Sequence, residues 1–501
     1  MKKAAILLTL GASLVTSCVD LELSPKDSIV LSSYFQTEAD AVAAVTGVYS
    51  VLTYAEENTP LYGGQLVYLT DLASDYMRTG SHSNSSETRA IGSASYDAGN
   101  YEIKRTWILI FRGISRANLA IANIPNTSGI SEEIKDRLVR EAKFLRALYY
   151  FNAVQLWGDV PLILNETYEE ADLNRAPIDD VYKQIISDLT EAQKLPASYS
   201  GAADVGRATG GAATALLARV YLVRGDWANA IKYARDVISS NEYELVTTVK
   251  DLFNPDTKNG REHIFSAQFT TGQKSAAASG NANSHCTWSS GFSNAEPVSL
   301  ISNVELFYDI FDDNDQRKDA SYAKRLYNPK TDSIFVFDIP RFRKYIDTAV
   351  VLTSSSGASR INAPVIRYAE VLLTLAEAIN EQSGPNAEAY EAINQVRRRA
   401  FSYDIQTKGS PVDFSGLTQQ QFREKLRQER YLEFVIEQVR WYDLTRWKIL
   451  VESTNKTKQI GKRNYRYPIP QAERDLNPKG LWQNWGYDGA TADDPYDATY
   501  K

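Results

Sequence analysis

Three histidines, His82, His263 and His285, and two cysteines, Cys18 and Cys286, are all that the 501 residues offer for imidazole or thiol chemistry. No two of the histidines stand four apart, as a helical metal pair requires. Cys286 follows His285 directly, but neighbours in a polar loop rarely meet as nucleophile and base. Carboxylates are plentiful. Arg430, Glu433, Glu437, Arg440, Asp443 and Arg446 fall at helical spacings of three and four and read as an ionic ladder packed among Phe434, Trp441 and Trp447. Such arginines hold carboxylates ionised, whereas a general acid needs a raised pKa, so the ladder reads as architecture. The run Asp309–Asp315 has calcium-type donors, but it lacks the Gly and distal Glu of an EF-hand loop, and Arg317 after it marks a structural turn. No phosphate-binding glycine loop, dinucleotide fingerprint or Gly-x-Ser-x-Gly elbow occurs. No catalytic residue or cofactor is expected, with calcium at the acidic run Asp309–Asp315 as the alternative. A glycosidase pair drawn from the 62 acids is the one enzymatic alternative left open.

Two polar, aromatic loops have a different chemistry. Sugars present apolar faces ringed by hydroxyls, which suit aromatic rings flanked by amides and guanidinium groups. Residues 75–101 contain Tyr76, Arg78, Tyr96 and Asn100, and residues 272–296 contain Trp288, Phe292 and Asn294. Trp288 lies between Thr287 and Ser289-Ser290-Gly291, with no apolar period to bury it, and is the leading candidate. Trp107, Trp157, Trp227, Trp441 and Trp447 lie in helical patterns and read as core.

The elements that must carry these loops are helices. Apolar periodicity predicts helices over 38–54, 101–124, 131–157 and 178–195, the third opened by Ser131-Glu132-Glu133 and closed by Gly158-Asp159-Val160-Pro161. Residues 209–240 form a hairpin of two helices meeting at Arg224-Gly225-Asp226. Its Leu217, Ala218, Tyr221, Ala230, Ala234 and Val237 fall at the offsets of a tetratricopeptide unit. Residues 365–400 form a similar pair with a Gly384-Pro385 turn, and a long helix is predicted from 418 to about 452. Strand character appears at 263–269 and 334–346. The whole is expected to be mostly α: tetratricopeptide-like helix pairs over about 35–240 and 365–452, packed with a loop-rich, irregular ligand-binding portion over about 244–360 and a tail over 453–501, in one domain from 35 to 501.

The chain opens Met-Lys2-Lys3, runs apolar from Ala4 to Val15, and reaches Leu14-Val15-Thr16-Ser17-Cys18. A basic head, a short apolar run and small residues at a cleavage point read as a secretory signal over 1–17, too short to span a bilayer. The pentapeptide resembles the bacterial lipobox, which implies acylation of Cys18 and a membrane anchor, with residues 18–34 as a tether. The net charge of −7 becomes −9 without Lys2 and Lys3, a poor balance for binding nucleic acid. With Cys18 under lipid, no internal disulfide is expected. Thirty tyrosines and eight tryptophans serve packing and flat ligand contacts alike.

Further stretches bear a resemblance when taken in order. They are Glu141–Phe151 running on to Gly158-Asp159-Val160-Pro161-Leu162; Ala213–Tyr233; Arg367–Leu373 followed by Ile393-Asn394-Gln395-Val396-Arg397; Glu429–Phe434 continuing to Arg440–Trp447; and Tyr467–Glu473 with Asn477-Pro478 and Gln483–Tyr487. Behind a lipobox, this series resembles the SusD/RagB family of Bacteroidetes outer-membrane nutrient-binding lipoproteins. Gln438 and Trp485 stand where that family usually has Gly and Pro; Gln438 is expected to sit in a helix without cost. Asp20 and Glu22 resemble the family's surface-export signal. The resemblance implies a protein anchored in the outer membrane and facing the cell exterior. Its expected task is to capture an oligosaccharide and pass it to a SusC-like TonB-dependent transporter, without catalysis. A peptide ligand, as in the RagB branch, is the alternative it implies.

Overall fold

The computed structural model describes residues 34–53, 60–80, 85–166, 172–199, 201, 204–270, 300–302, 307–328, 331–347 and 359–490. Cys18 and the loop residues Trp288, Phe292 and Asn294 lie outside the described residues, as do His82, His285 and Cys286. The helices needed below are α1 (Glu38–Thr53), α2 (Ser86–Gly92), α3 (Tyr101–Asn123), α4 (Glu132–Trp157), α5 (Ile178–Ala192), α6 (Gly210–Arg224), α7 (Trp227–Ser239), α8 (Gln316–Ser321), α9 (Tyr368–Ser383), α10 (Ala387–Ala400), α11 (Gln419–Glu433) and α12 (Arg440–Arg446).

Their starts follow local chemistry. The side chains of Asn100, Ser131, Thr209, Asp226, Asn386 and Thr418 each accept from backbone N–H groups in the first turn they cap. Gly225, at φ +72°, turns the chain between α6 and α7 in a left-handed conformation that suits glycine. Leu217, Ala218, Ala230, Ala234 and Val237 are buried, as the repeat offsets predict, and Tyr221 is half-buried against the same core. Successive helices pack on one another: α3 on α4, α4 on α5, α5 on α6, α6 on α7, α7 on α9 and α9 on α10. One hydrophobic core runs from Phe35 to Tyr487 and takes in Trp107, Trp157 and Trp441.

Strands are few and occur as two-stranded antiparallel ribbons: β1 (Met77–Thr79) with β5 (Leu300–Ser302), β2 (Val160–Pro161) with β3 (Arg175–Ala176), β4 (His263–Ala267) with β8 (Ala363–Arg367), and β6 (Tyr322–Asn328) with β7 (Ser333–Phe342). The expected strands at 263–269 and 334–346 correspond to β4 and β7.

The predicted helix from 418 to 452 is broken. It stops at Glu433, turns through Phe434–Val439, and resumes as α12. Ile436 and Gln438 adopt φ of +56° and +63°. Gln438 is therefore not helical, and the glycine usual in the family suits a left-handed position that costs other residues about 1–2 kcal/mol. The turn is clamped from outside: the N–H of Ile436 donates to the Tyr76 hydroxyl (2.9 Å) and that of Gln438 to Asp71 Oδ2 (3.1 Å).

The break also replaces the expected ladder. Arg430 and Arg446 both grip Asp443 (2.8 Å each), Arg446 also holds Glu377, and Arg440 pairs with Asp75 (2.6 Å). Glu433 and Glu437 instead enter a buried network drawn from distant segments. Arg317, Lys344, Arg367, Arg397 and Arg399 there answer Glu262, Asp315, Glu429, Glu433 and Glu437. Asp315 caps α8 and holds Arg317, so that end of the acidic run is the structural turn expected of it. Burial alone would raise Glu433, but Arg399, Arg367 and Arg317 outweigh it and hold it well below the usual carboxylate range. Glu437, under Arg367 and Lys344, and Asp443, under Arg430 and Arg446, are likewise depressed against the effect of burial.

The tail returns to the first half of the chain. The Trp157 indole donates to Pro468 O (3.1 Å), the Tyr467 N–H to Leu156 O (2.8 Å), and the Asn484 amide to Trp157 O (2.9 Å). Arg175 donates to Trp482 O (2.7 Å) while its guanidinium lies 3.6 Å from the centre of the Trp482 ring.

Candidate ligand-binding face

The first of the two loops singled out from sequence opens on a ribbon. Met77, Arg78 and Thr79 of β1 stand opposite Ser302, Ile301 and Leu300 of β5. In the sequence, β5 begins six residues after Asn294. Arg78 is exposed. Behind β1 lies α2, and the packing is close: a side chain at Gly92 would place its Cβ 3.0 Å from Thr79 Cγ2. From α2, Glu87 reaches the start of α3, where its Oε2 accepts from the Tyr101 N–H (3.0 Å).

Three of the candidates do not face solvent, which corrects their assignment as ligand contacts. Tyr76 is fully buried among Phe307, Phe342 and Tyr431, and its hydroxyl donates to Asp71 Oδ1 at 2.6 Å. Its role is to clamp the Phe434–Val439 turn. Tyr96 is buried against Tyr467 and Tyr487, with its hydroxyl accepting from the Asn464 amide at 2.8 Å, so it anchors the tail. Asn100 is buried as the cap of α3, accepting from Glu102 and Ile103 and donating to Glu87 O. Their polar atoms are committed to the fold, and none remains at the surface to meet a sugar.

Tyr101 takes the position those residues were expected to fill. It is 46% exposed, and Arg105 lies 5.9 Å from its ring centre. The sequence carries a usable signal for it. As the residue just after a capping Asn it begins a helix, and the burial stripe of α3 starts only at Glu102 and Ile103. Among the described residues no group of three or more His, Cys, Asp or Glu side chains converges to hold a metal ion.

Beneath this face sit two buried titratable groups on the clamp. Burial pushes Asp71 up to about 7 despite its bond from Tyr76, and pulls Lys458 down to about 7 despite nearby Asp75; Lys458 donates to Leu72 O. For Asp71 the folded state holds its proton more tightly, so its contribution weakens the fold as pH rises from about 4 to 7. For Lys458 the unfolded chain holds the proton more tightly, so stability rises as pH climbs from 7 toward the unfolded value of 10.5. Between pH 7 and 9 that gain is about 2 kcal/mol. Urea denaturation across this range is expected to show it, and Lys458→Met is expected to flatten it.

A mostly helical platform of tetratricopeptide-like pairs with a few short two-stranded ribbons defines a SusD-like architecture. One family model, described as "SusD family", matches residues 261–463, and a second, described as "Starch-binding associating with outer membrane", matches residues 27–222. Over these two stretches the chain is similar to the SusD/RagB and SusD-like families. SusD-like protein P25 of Formosa agariphila is 29% identical over 92% of this chain and 94% of its own length. The starch-binding protein SusD of Bacteroides thetaiotaomicron is 25% identical over 97% of this chain and 98% of its own. The crystal structure of a SusD superfamily protein from Parabacteroides distasonis superposes with a TM-score of 0.76 at 27% identity, covering 90% of this chain and 99% of that one.

Proposed function

We propose that this protein is a cell-surface lipoprotein, anchored in the outer membrane through an acylated Cys18, that captures an oligosaccharide and delivers it to a SusC-like TonB-dependent transporter. The observation that carries the reading is the β1–β5 ribbon, which sets exposed Arg78 opposite Ile301, shortly after the stretch of Trp288, Phe292 and Asn294 in the sequence. Tyr101, exposed at the start of α3 and tied to α2, supplies an aromatic surface on the same flank. The relatives named as starch-binding support a saccharide as the ligand class. Binding without turnover fits the depressed carboxylates Glu433, Glu437 and Asp443, which arginines and Lys344 keep ionised and unfit as general acids.

Calorimetric titration of the mature protein against neutral oligosaccharides and, in parallel, short peptides tests this reading. Saccharide binding is expected, and Trp288→Ala and Tyr101→Ala are each expected to weaken it at least tenfold, about 1.4 kcal/mol. Binding of peptides alone, or release of shortened sugars from a bound glycan, would overturn it. Co-purification with a barrel transporter, lost when Cys18→Ala abolishes partition into detergent, tests the anchoring and delivery.

A further inference from the structure

A second cavity, of about 410 Å³, lies elsewhere on the molecule. Its walls come from the connection between α5 and α6, the segment following α7, and β4, none of which contributes to the β1–β5 ribbon. The volume falls within the range of small-ligand pockets, about 300–1,000 Å³.

The lining is built rather than incidental. Asn259 and Gln268 pair amide to amide in both directions, at 2.8 and 2.9 Å, and Asn362 donates to both. Gly206 lies against this pair at φ +91°, and a Cβ there would stand 2.5 Å from Gln268 Cδ, so only glycine lets the wall close onto the amide. Two tyrosine rings, Tyr199 and Tyr243, stand in the wall with their hydroxyls fixed on Ala208 O (2.9 Å) and Thr209 Oγ1 (3.0 Å).

Two buried atoms in the wall have no protein partner: His263 Nδ1 and Ser266 Oγ. Buried polar atoms are nearly always paired, and an orphan calls for a reason. His263 Nε2 sits 3.1 Å from Leu252 O, which can only accept, so Nε2 carries the proton and Nδ1 is an acceptor. Burial lowers the ring's pKa and keeps it neutral. Both orphaned atoms belong to residues of β4 that line the cavity, so this wall carries polar groups that the protein itself leaves unanswered. The charges argue for a neutral ligand. Arg207 is answered by Glu141 and Asp204, and Arg261 by Glu244, so the lining's arginines are already neutralised.

We propose that this cavity is a second saccharide site, taking a neutral mono- or disaccharide unit and separate from the face at β1–β5. The proposal rests on the saccharide-binding reading above and adds a second point of attachment for the same class of ligand. Two sites on one chain would hold a long glycan more tightly than either alone.

The test is calorimetric stoichiometry on the full mature chain with maltoheptaose, laminarihexaose, cellohexaose and mannohexaose. Val205 is 50% exposed at the cavity, and Val205→Trp fills the cavity without disturbing the core. Two equivalents of one of these sugars are expected for the wild type. Val205→Trp is expected to remove one, with at least tenfold weaker binding there, while Tyr101→Ala removes the other. Ser266→Ala provides a second variant with a minimal change in volume and is expected to weaken the cavity site alone. A stoichiometry of one that survives both cavity variants and disappears in Tyr101→Ala would overturn the second site and leave the proposed function standing. Failure of the wild type to bind any of the four sugars would overturn both.

Discussion

Arg367→Ala is expected to cost the fold about 3–5 kcal/mol, the usual result of removing one partner from a buried, hydrogen-bonded charge cluster. Arg367 grips both oxygens of Glu437, at 2.7 and 3.0 Å, reaches Glu262 at 2.9 Å, and also holds Glu433. Its loss takes one cation from three carboxylates that are almost fully buried and leaves Arg399, Arg317 and Lys344 to answer them alone. Arg367→Lys is expected to recover little, because an ammonium cannot make the forked contact with Glu437. The acid limb gives a second readout. Depressed carboxylates such as Glu433 and Glu437 contribute stability that is fully present above an ordinary glutamate pKa of 4.5 and lost as pH falls through their lower folded values. The deficit of Arg367→Ala is therefore expected to shrink as the medium is acidified below pH 4.5, where Glu433 and Glu437, less well held without Arg367, take up protons. Denaturant midpoints at pH 7 and pH 4 measure both effects, and a loss under 1 kcal/mol at pH 7 would contradict the role assigned to the network.

Tyr76→Ala is expected to cost a similar amount, about 3–5 kcal/mol, as for other large buried aromatics. Tyr76→Phe separates the clamp from the packing. It keeps the ring among Phe307, Phe342 and Tyr431 but leaves the Ile436 N–H without its acceptor and deprives Asp71 of a donor, for an expected loss of about 1–3 kcal/mol. Sugar affinity is expected to stay within threefold of wild type. Tyr76→Phe that melts like wild type but binds poorly would return the residue to the ligand surface and undo the assignment made here.

That pair of outcomes touches what can and cannot be read from a sequence. Helices α1, α3, α4, α6, α7, α9 and α10 were legible because their apolar spacing and capping residues are local signals. The stretch from 418 to 452 misled because Arg430, Glu433, Glu437, Arg440 and Asp443 have helical spacing while their partners lie far away. Asp71 and Tyr76 impose the break from more than 300 residues upstream, which no window of local pattern contains. The same holds at the ligand face. A buried tyrosine with a bonded hydroxyl and an exposed one look alike in a polar loop, so the pattern did not separate Tyr76 and Tyr96 from Tyr101. The pairing of Met77–Thr79 with Leu300–Ser302 was equally out of reach, since a three-residue ribbon between strands more than 200 residues apart leaves no local pattern.

The attachment of the tail bears on how the molecule is made. The last carbonyls of the 26-residue helix α4, at Leu156 and Trp157, take their donors from Tyr467 and Asn484, some 300 residues later. A nascent chain emerging N-terminus first cannot finish that helix until its final tenth has been synthesised. Long-range closures of this kind slow folding, so the junction between the two ends of the chain is among the last parts of the molecule to lock.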